Sequence, residues 1–138
     1  MPLYDGHMIP DFIVSALEGK DLVIYGGAEF STSLCYVSDI VDGILKLMAL
    51  PNAPGPVNLG SDRDAKLVDV AQDIIEMTGS SSKIIFDPPL AFMSVLGLPN
   101  LSKAKETLGW FPLVSLEQGL KKSIEYTTAR KGRIRPSL

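Results

Sequence analysis

Cys35-Tyr36-Val37-Ser38-Asp39-Ile40-Val41-Asp42-Gly43-Ile44-Leu45-Lys46-Leu47-Met48-Ala49 changes its period part-way along. Cys35-Tyr36-Val37 is short, aromatic and β-branched, and predicts a strand. Ser38 is a natural helix N-cap, and Asp39 places a carboxylate in the first turn, against the positive end of the helix dipole. A helix is therefore predicted from about Asp39 to Ala49. Its apolar residues Ile40, Val41, Ile44, Leu45, Leu47 and Met48 spread over more than one stripe, which predicts packing on two sides. Gly43 sits in the middle of this helix. There it costs about 1 kcal/mol against alanine unless something approaches closely.

Upstream, Ile9-Pro10-Asp11-Phe12-Ile13-Val14-Ser15-Ala16-Leu17 predicts a helix. Pro10 suits its first turn and Gly19 its end. Asp21-Leu22-Val23-Ile24-Tyr25, closed by Gly26-Gly27, predicts a short strand. Downstream, Pro51–Pro56 is a loop, and Val57-Asn58-Leu59 before Gly60 reads as a strand. Leu67, Val70, Ala71, Ile74 and Ile75 form a helical stripe that stops at Gly79, with Lys66 a poor cap. Lys83-Ile84-Ile85-Phe86 predicts a strand that Asp87-Pro88-Pro89 breaks. Leu90 to Pro99 is apolar and specifies no element. Asn100 or Ser102 caps a short helix ending near Leu108, and Ser115 with Gln118 forms a capping box for the last helix. Gly132 is expected to stop it. These elements make a small mixed α/β domain of short strands and about five helices, not a complete doubly wound sheet.

Composition narrows the function. A chain of 138 residues with 46% apolar content fits one cored domain. A net charge of −3 does not favour a nucleic-acid partner. Four cations crowd into Arg130-Lys131-Gly132-Arg133-Ile134-Arg135, so residues 131–138 read as a basic flexible tail after a domain over 1–130. Cys35 is the only cysteine, which excludes an internal disulfide and fits a reducing, cytoplasmic setting. No apolar run approaches the ~20 residues that a membrane helix needs.

Four blocks stand in a fixed order: Leu22-Val23-Ile24-Tyr25-Gly26, Cys35-Tyr36-Val37-Ser38-Asp39, Pro56-Val57-Asn58-Leu59-Gly60 and Leu108-Gly109-Trp110-Phe111-Pro112. Together they resemble the C-terminal, substrate-binding part of extended short-chain dehydrogenase/reductases. These are the NAD-dependent epimerase/dehydratase enzymes that act on nucleotide sugars, and the wording is nearest to UDP-glucuronate decarboxylases. The resemblance runs from about Asp5 to Arg130. It implies NAD for the full-length enzyme, hydride transfer through a keto-sugar, and a preceding Rossmann half that this chain lacks. It implies that Met8 and Ile9 flank a nucleobase, with Val23 and Tyr25 on its other side, and that Thr32 and Asn58 lie near the nucleotide. The ligand would be a UDP- or dTDP-sugar.

Two features depart from that pattern. The sequence has no G-x-G-x-x-G turn to cradle a dinucleotide. Tyr4, Tyr25, Tyr36 and Tyr126 have no lysine four residues on, so no Tyr-Lys proton-transfer pair is expected. The chain alone is therefore expected to bind no cofactor and to be inactive, the fragment of a longer enzyme. The resemblance also implies diphosphate-binding arginines where Thr32 stands and near Gly97. Thr32 and Ser33 offer single neutral hydrogen bonds in place of a guanidinium fork. Lys20, His7 and Lys103 are the candidate replacements. A non-catalytic binding or assembly module with a degenerate pocket remains the alternative. The second apolar side of the helix at 39–49, bare without the Rossmann half, predicts a homo-oligomer.

Overall fold

The first element forms where Pro10 presets the backbone angle of an opening turn and residues 12–14 and 16 supply a nearly continuous buried stripe. It is α1, Met8–Leu17, in a computed structural model that describes residues 7–91 and 97–133. Met1–Gly6, most of the apolar stretch after Leu90 and the end of the tail lie outside the described residues. Among those described, two compact units are distinguished. One takes in residues 7–30, 66–91 and 120–133, the other 31–65 and 97–119.

In the first unit, β1 (Leu22–Tyr25) runs parallel to β4 (Ile84–Asp87), with Leu22 opposite Ile84 and Tyr25 opposite Asp87. Leu22 and Ile24 are fully buried, while Val23 and Tyr25, on the opposite face of the same strand, stay half-exposed. Helix α3 (Leu67–Thr78) packs on β1, β4 and α1 through Leu67, Val70, Ala71 and Ile74, all buried. It ends on Gly79 in the left-handed conformation (φ 63°). Lys66 offers α3 no side-chain cap, in line with its weak capping chemistry. The Asp21 carboxylate accepts the Lys83 amide at 3.1 Å and ties the start of β1 to that of β4.

The second unit is built around Trp110. Its indole is fully buried with Leu101 and Ala104, and Cys35, Val57, Leu59 and Leu108 pack around them. Helix α2 (Val37–Met48) brings Gly43 against this cluster. A Cβ at Gly43 would lie 2.7 Å from a Leu59 methyl and 3.0 Å from the indole nitrogen. That close approach accounts for the glycine in mid-helix. Helix α4 (Ser102–Leu108) starts where the Asn100 side chain accepts the Ser102 amide at 2.9 Å. Helix α5 (Leu116–Arg133) opens on the expected capping box, with Ser115 and Gln118 each accepting the other's amide at 3.2 Å.

Four features of the element assignment differ from the sequence reading. The strand expected at Cys35–Val37 forms at Ser31–Ser33 instead, as β2, paired with β3 (Asp64–Lys66). Its serine contributes a long-range tie, with Ser33 Oγ bonded to both the carbonyl and the amide of Ser61. Tyr36 takes the N-cap position of α2 in extended conformation (φ −73°, ψ 143°), so that helix opens at Val37, with Ser38 inside it. Val57–Leu59 is not a strand: its apolar side chains pack into the Trp110 cluster without a ladder partner. Finally, Gly132 does not stop α5, which carries residues 131–133 of the expected tail as helix. The Lys131 ammonium meets Glu18 at the end of α1.

The packing on two sides expected of α2 is not seen among the described residues: the helix packs on one side and leaves its other apolar side bare. Asp39 and Gly43 are buried, whereas Val37, Val41, Ile44, Leu45 and Met48 are exposed, Met48 by 76%. Among the described residues, no helix is long and apolar enough to cross a membrane.

Candidate functional site

The alternation along β1 turns Leu22 and Ile24 into the core and leaves Val23 and Tyr25 on the other face of the strand. The start of α1 meets that face. Between them opens a cleft of about 550 Å³, whose lining includes His7 just before the helix, Met8 and Asp11 within it, Val23 and Tyr25 from the strand, and Leu90. Its walls are largely apolar, with a tyrosine ring that carries a polar tip. This combination suits a flat, partly polar heterocycle.

Three of the six sequence-predicted site residues, Met8, Val23 and Tyr25, therefore share one cleft. Ile9 is half-buried on α1 and does not line it. Thr32 and Asn58 belong to the second unit. There Thr32 is half-buried in β2, and the Asn58 amide donates to the Asn100 carbonyl at 3.2 Å. Asp11 was not anticipated. It stands three residues after Met8, one helical turn on, and that i, i+3 spacing is the signal that would have found it.

Of the candidate replacements for arginine, His7 and Lys20 line the cleft. Lys103 does not: its ammonium holds the carbonyls of Pro54 and Pro56 and so pins the loop before Val57.

A second cleft, of about 470 Å³, lies within the other unit and includes Asp62, Arg63, Lys105 and Phe111. Lys105 pairs with Asp62 at 3.1 Å and holds its carboxyl below the usual range, at an exposed position where solvent screens the pair. Nearby in sequence, burial pushes the Cys35 thiol up, and the Asp39 carboxylate pushes it further. Cys35 packs against the Trp110 cluster, and both effects disfavour its thiolate.

A bound dinucleotide needs a strand, a glycine turn and a helix N-terminus in succession. Gly26 and Gly27 follow β1 with φ of 96° and 92°, but the chain then enters β2 rather than a helix. β3 passes into α3 with no glycine between them. The described residues do not fit a dinucleotide cradle, and no hydride step follows from them.

Residues 1–60 match the NAD dependent epimerase/dehydratase family. Over 126 residues, 91% of the chain, the sequence is 39% identical to UDP-glucuronic acid decarboxylase 1 of Xenopus tropicalis. Over most of its length the chain is thus similar to UDP-glucuronic acid decarboxylases, and over residues 1–60 to the epimerase/dehydratase family. The match accounts for 30% of the Xenopus tropicalis relative's length. Among solved structures, UDP-glucose 4-epimerase from Thermotoga maritima, determined with UDP-glucose, superposes with a TM-score of 0.87 at 29% identity over 95% of this chain and 42% of that one. An epimerase from Methanothermobacter thermautotrophicus gives 0.88 at 27% identity, over 95% and 40%. The small mixed α/β fold with five helices matches the C-terminal regions of such enzymes, as expected.

Proposed function

We propose that this chain supplies the nucleotide-sugar-binding part of an NAD-dependent nucleotide-sugar enzyme, and that the reaction served is the decarboxylation of UDP-glucuronate. The observation that carries the reading is the meeting of Met8, Val23 and Tyr25 in one cleft, on a chain 39% identical to a UDP-glucuronic acid decarboxylase. The Tyr25 ring gives the base a flat face, and Met8 and Val23 exclude water from its edges. NAD and the proton-transfer groups belong to the part of the enzyme outside this chain. UDP-glucuronate is expected to bind without turnover, in a cytoplasmic setting.

Isothermal titration with UDP, UDP-glucuronate and deoxythymidine diphosphate tests the site. Uridine nucleotides are expected to bind with Kd at or below about 1 mM, and Tyr25→Ala to weaken them about tenfold, as loss of base stacking does. Circular dichroism checks that the variant stays folded. No heat with any of the three ligands would remove this reading.

The exposed row Val37, Val41, Ile44, Leu45 and Met48 on α2 is taken as the face that the missing Rossmann half covers in a longer protein. Without it, the chain is expected to self-associate. Light scattering at high protein concentration should give a mass of a dimer or more; a monodisperse monomer speaks against this.

A further inference from the structure

We infer that the cleft within the second unit, lined mainly by residues 61–65 and 111–116, binds a small carboxylic acid with an apolar body. Its volume of about 470 Å³ falls among those of small-molecule sites. One wall is apolar. Phe111 is 55% exposed and Leu113 74%, and both line the cleft together with Leu34 and Leu116. The backbone that carries them is held in place. The Trp110 indole donates to the Asp39 carbonyl at 2.8 Å, and the Leu113 and Val114 amides donate to Asp39 Oδ2 at 3.1 and 2.9 Å. Large apolar side chains on a fixed backbone form a ready contact surface, and little ordering entropy is lost when an apolar body covers them.

The other wall supplies the charge. Ser33 Oγ ties to the carbonyl and the amide of Ser61, and Ser61 Oγ accepts the Arg63 amide at 3.1 Å, so the turn that carries Arg63 is fixed as well. Among the described residues, four charged side chains line the cleft: Asp62, Arg63, Asp64 and Lys105. Lys105 is taken by Asp62. Arg63 adds to the effect of Lys105 on the Asp62 carboxyl, yet its guanidinium forms no ion pair among the described residues. A guanidinium offers a carboxylate two parallel hydrogen bonds. Asp64 also forms no ion pair among the described residues. It disfavours a ligand with more than one negative charge and favours an ammonium beside the carboxylate. A monocarboxylate with an aromatic or branched body matches this set, as a plain acid or as an amino acid.

The experiment follows amide chemical shifts of the isotope-labelled full chain during titration with 3-phenylpropionate, L-phenylalanine and phenethylamine. At least one of the two carboxylates is expected to bind with Kd at or below about 5 mM, an ordinary efficiency for a ligand of about a dozen heavy atoms. The shifts should concentrate at the amides of Arg63, Asp64, Phe111 and Leu113. Tighter binding of phenylalanine identifies the ligand as an amino acid whose ammonium Asp64 holds; tighter binding of 3-phenylpropionate identifies a plain acid. Arg63→Gln should weaken the better carboxylate about fivefold, and Phe111→Ala about threefold. Both replace exposed side chains, and unchanged shifts in the first unit check that the fold persists. Phenethylamine binding as tightly as the carboxylates, affinity indifferent to Arg63→Gln, shifts centred elsewhere, or no binding by any of the three overturns the inference.

Discussion

Trp110→Ala is expected to lower the free energy of unfolding by about 3–5 kcal/mol, the range for truncating a buried tryptophan. The indole is fully buried and joins residues distant in sequence: Leu101 and Ala104 beside it, Cys35, Val57 and Leu59 around them. Its Nε1–H donates to the Asp39 carbonyl at 2.8 Å, so its one polar atom is satisfied. Truncation removes the apolar contacts and leaves a cavity between α2 and α4. Trp110→Phe keeps most of the volume but loses the donor, and is expected to cost about 1–2 kcal/mol. Urea unfolding followed by far-ultraviolet circular dichroism measures both, since the substitution removes the chain's only tryptophan and its fluorescence. A loss below about 1.5 kcal/mol for Trp110→Ala would show that the second unit is not organised around this residue.

What the sequence made legible follows from how local each signal is. The stripe Leu67, Val70, Ala71 and Ile74 determines α3 because a helix satisfies its hydrogen bonds within itself and needs only one apolar face. The reciprocal Ser115–Gln118 cap spans four residues and needs no other part of the chain. Strands carry no such closure. Cys35-Tyr36-Val37 has the composition of a strand, yet the strand forms at Ser31–Ser33, because the partner Asp64–Lys66 lies opposite that segment and pairing is decided by the partner. Val57–Leu59 has the alternation of a strand but no ladder partner among the described residues, so its alternation serves packing. The site divides the same way. Met8, Val23 and Tyr25 were reached by resemblance alone, and the structure places all three in one cleft. The charge around them was not legible, because Glu18, Lys20 and Lys131 act on one another across 113 residues of chain.

Asp39→Ala is the second large effect, expected at about 2–4 kcal/mol. The sequence places Asp39 in the first turn of a helix, where a carboxylate is worth only about 0.3–1 kcal/mol through the dipole. The structure gives it more to do. Asp39 is 6% exposed, and its Oδ2 accepts the amides of Leu113 at 3.1 Å and Val114 at 2.9 Å. Meanwhile its carbonyl accepts the Trp110 indole. One residue thus holds both ends of the Trp110–Val114 segment. The absence of a Cβ at Gly43, one turn further along α2, lets the indole come close enough to reach that carbonyl. Removing the carboxylate strands two amides, each a bond to a charged group worth about 1.5–3 kcal/mol, with water recovering part of the loss because Leu113 is exposed. Asp39→Asn keeps an acceptor oxygen without the charge and should cost about half as much. Because the carbonyl bond survives both substitutions, Asp39→Ala and Trp110→Phe remove different contacts at the same junction. Their combined cost should depart from the sum by about 0.5 kcal/mol or more, the sign of a shared clamp. Additive costs in that double-mutant cycle would mean that the two bonds hold the segment independently.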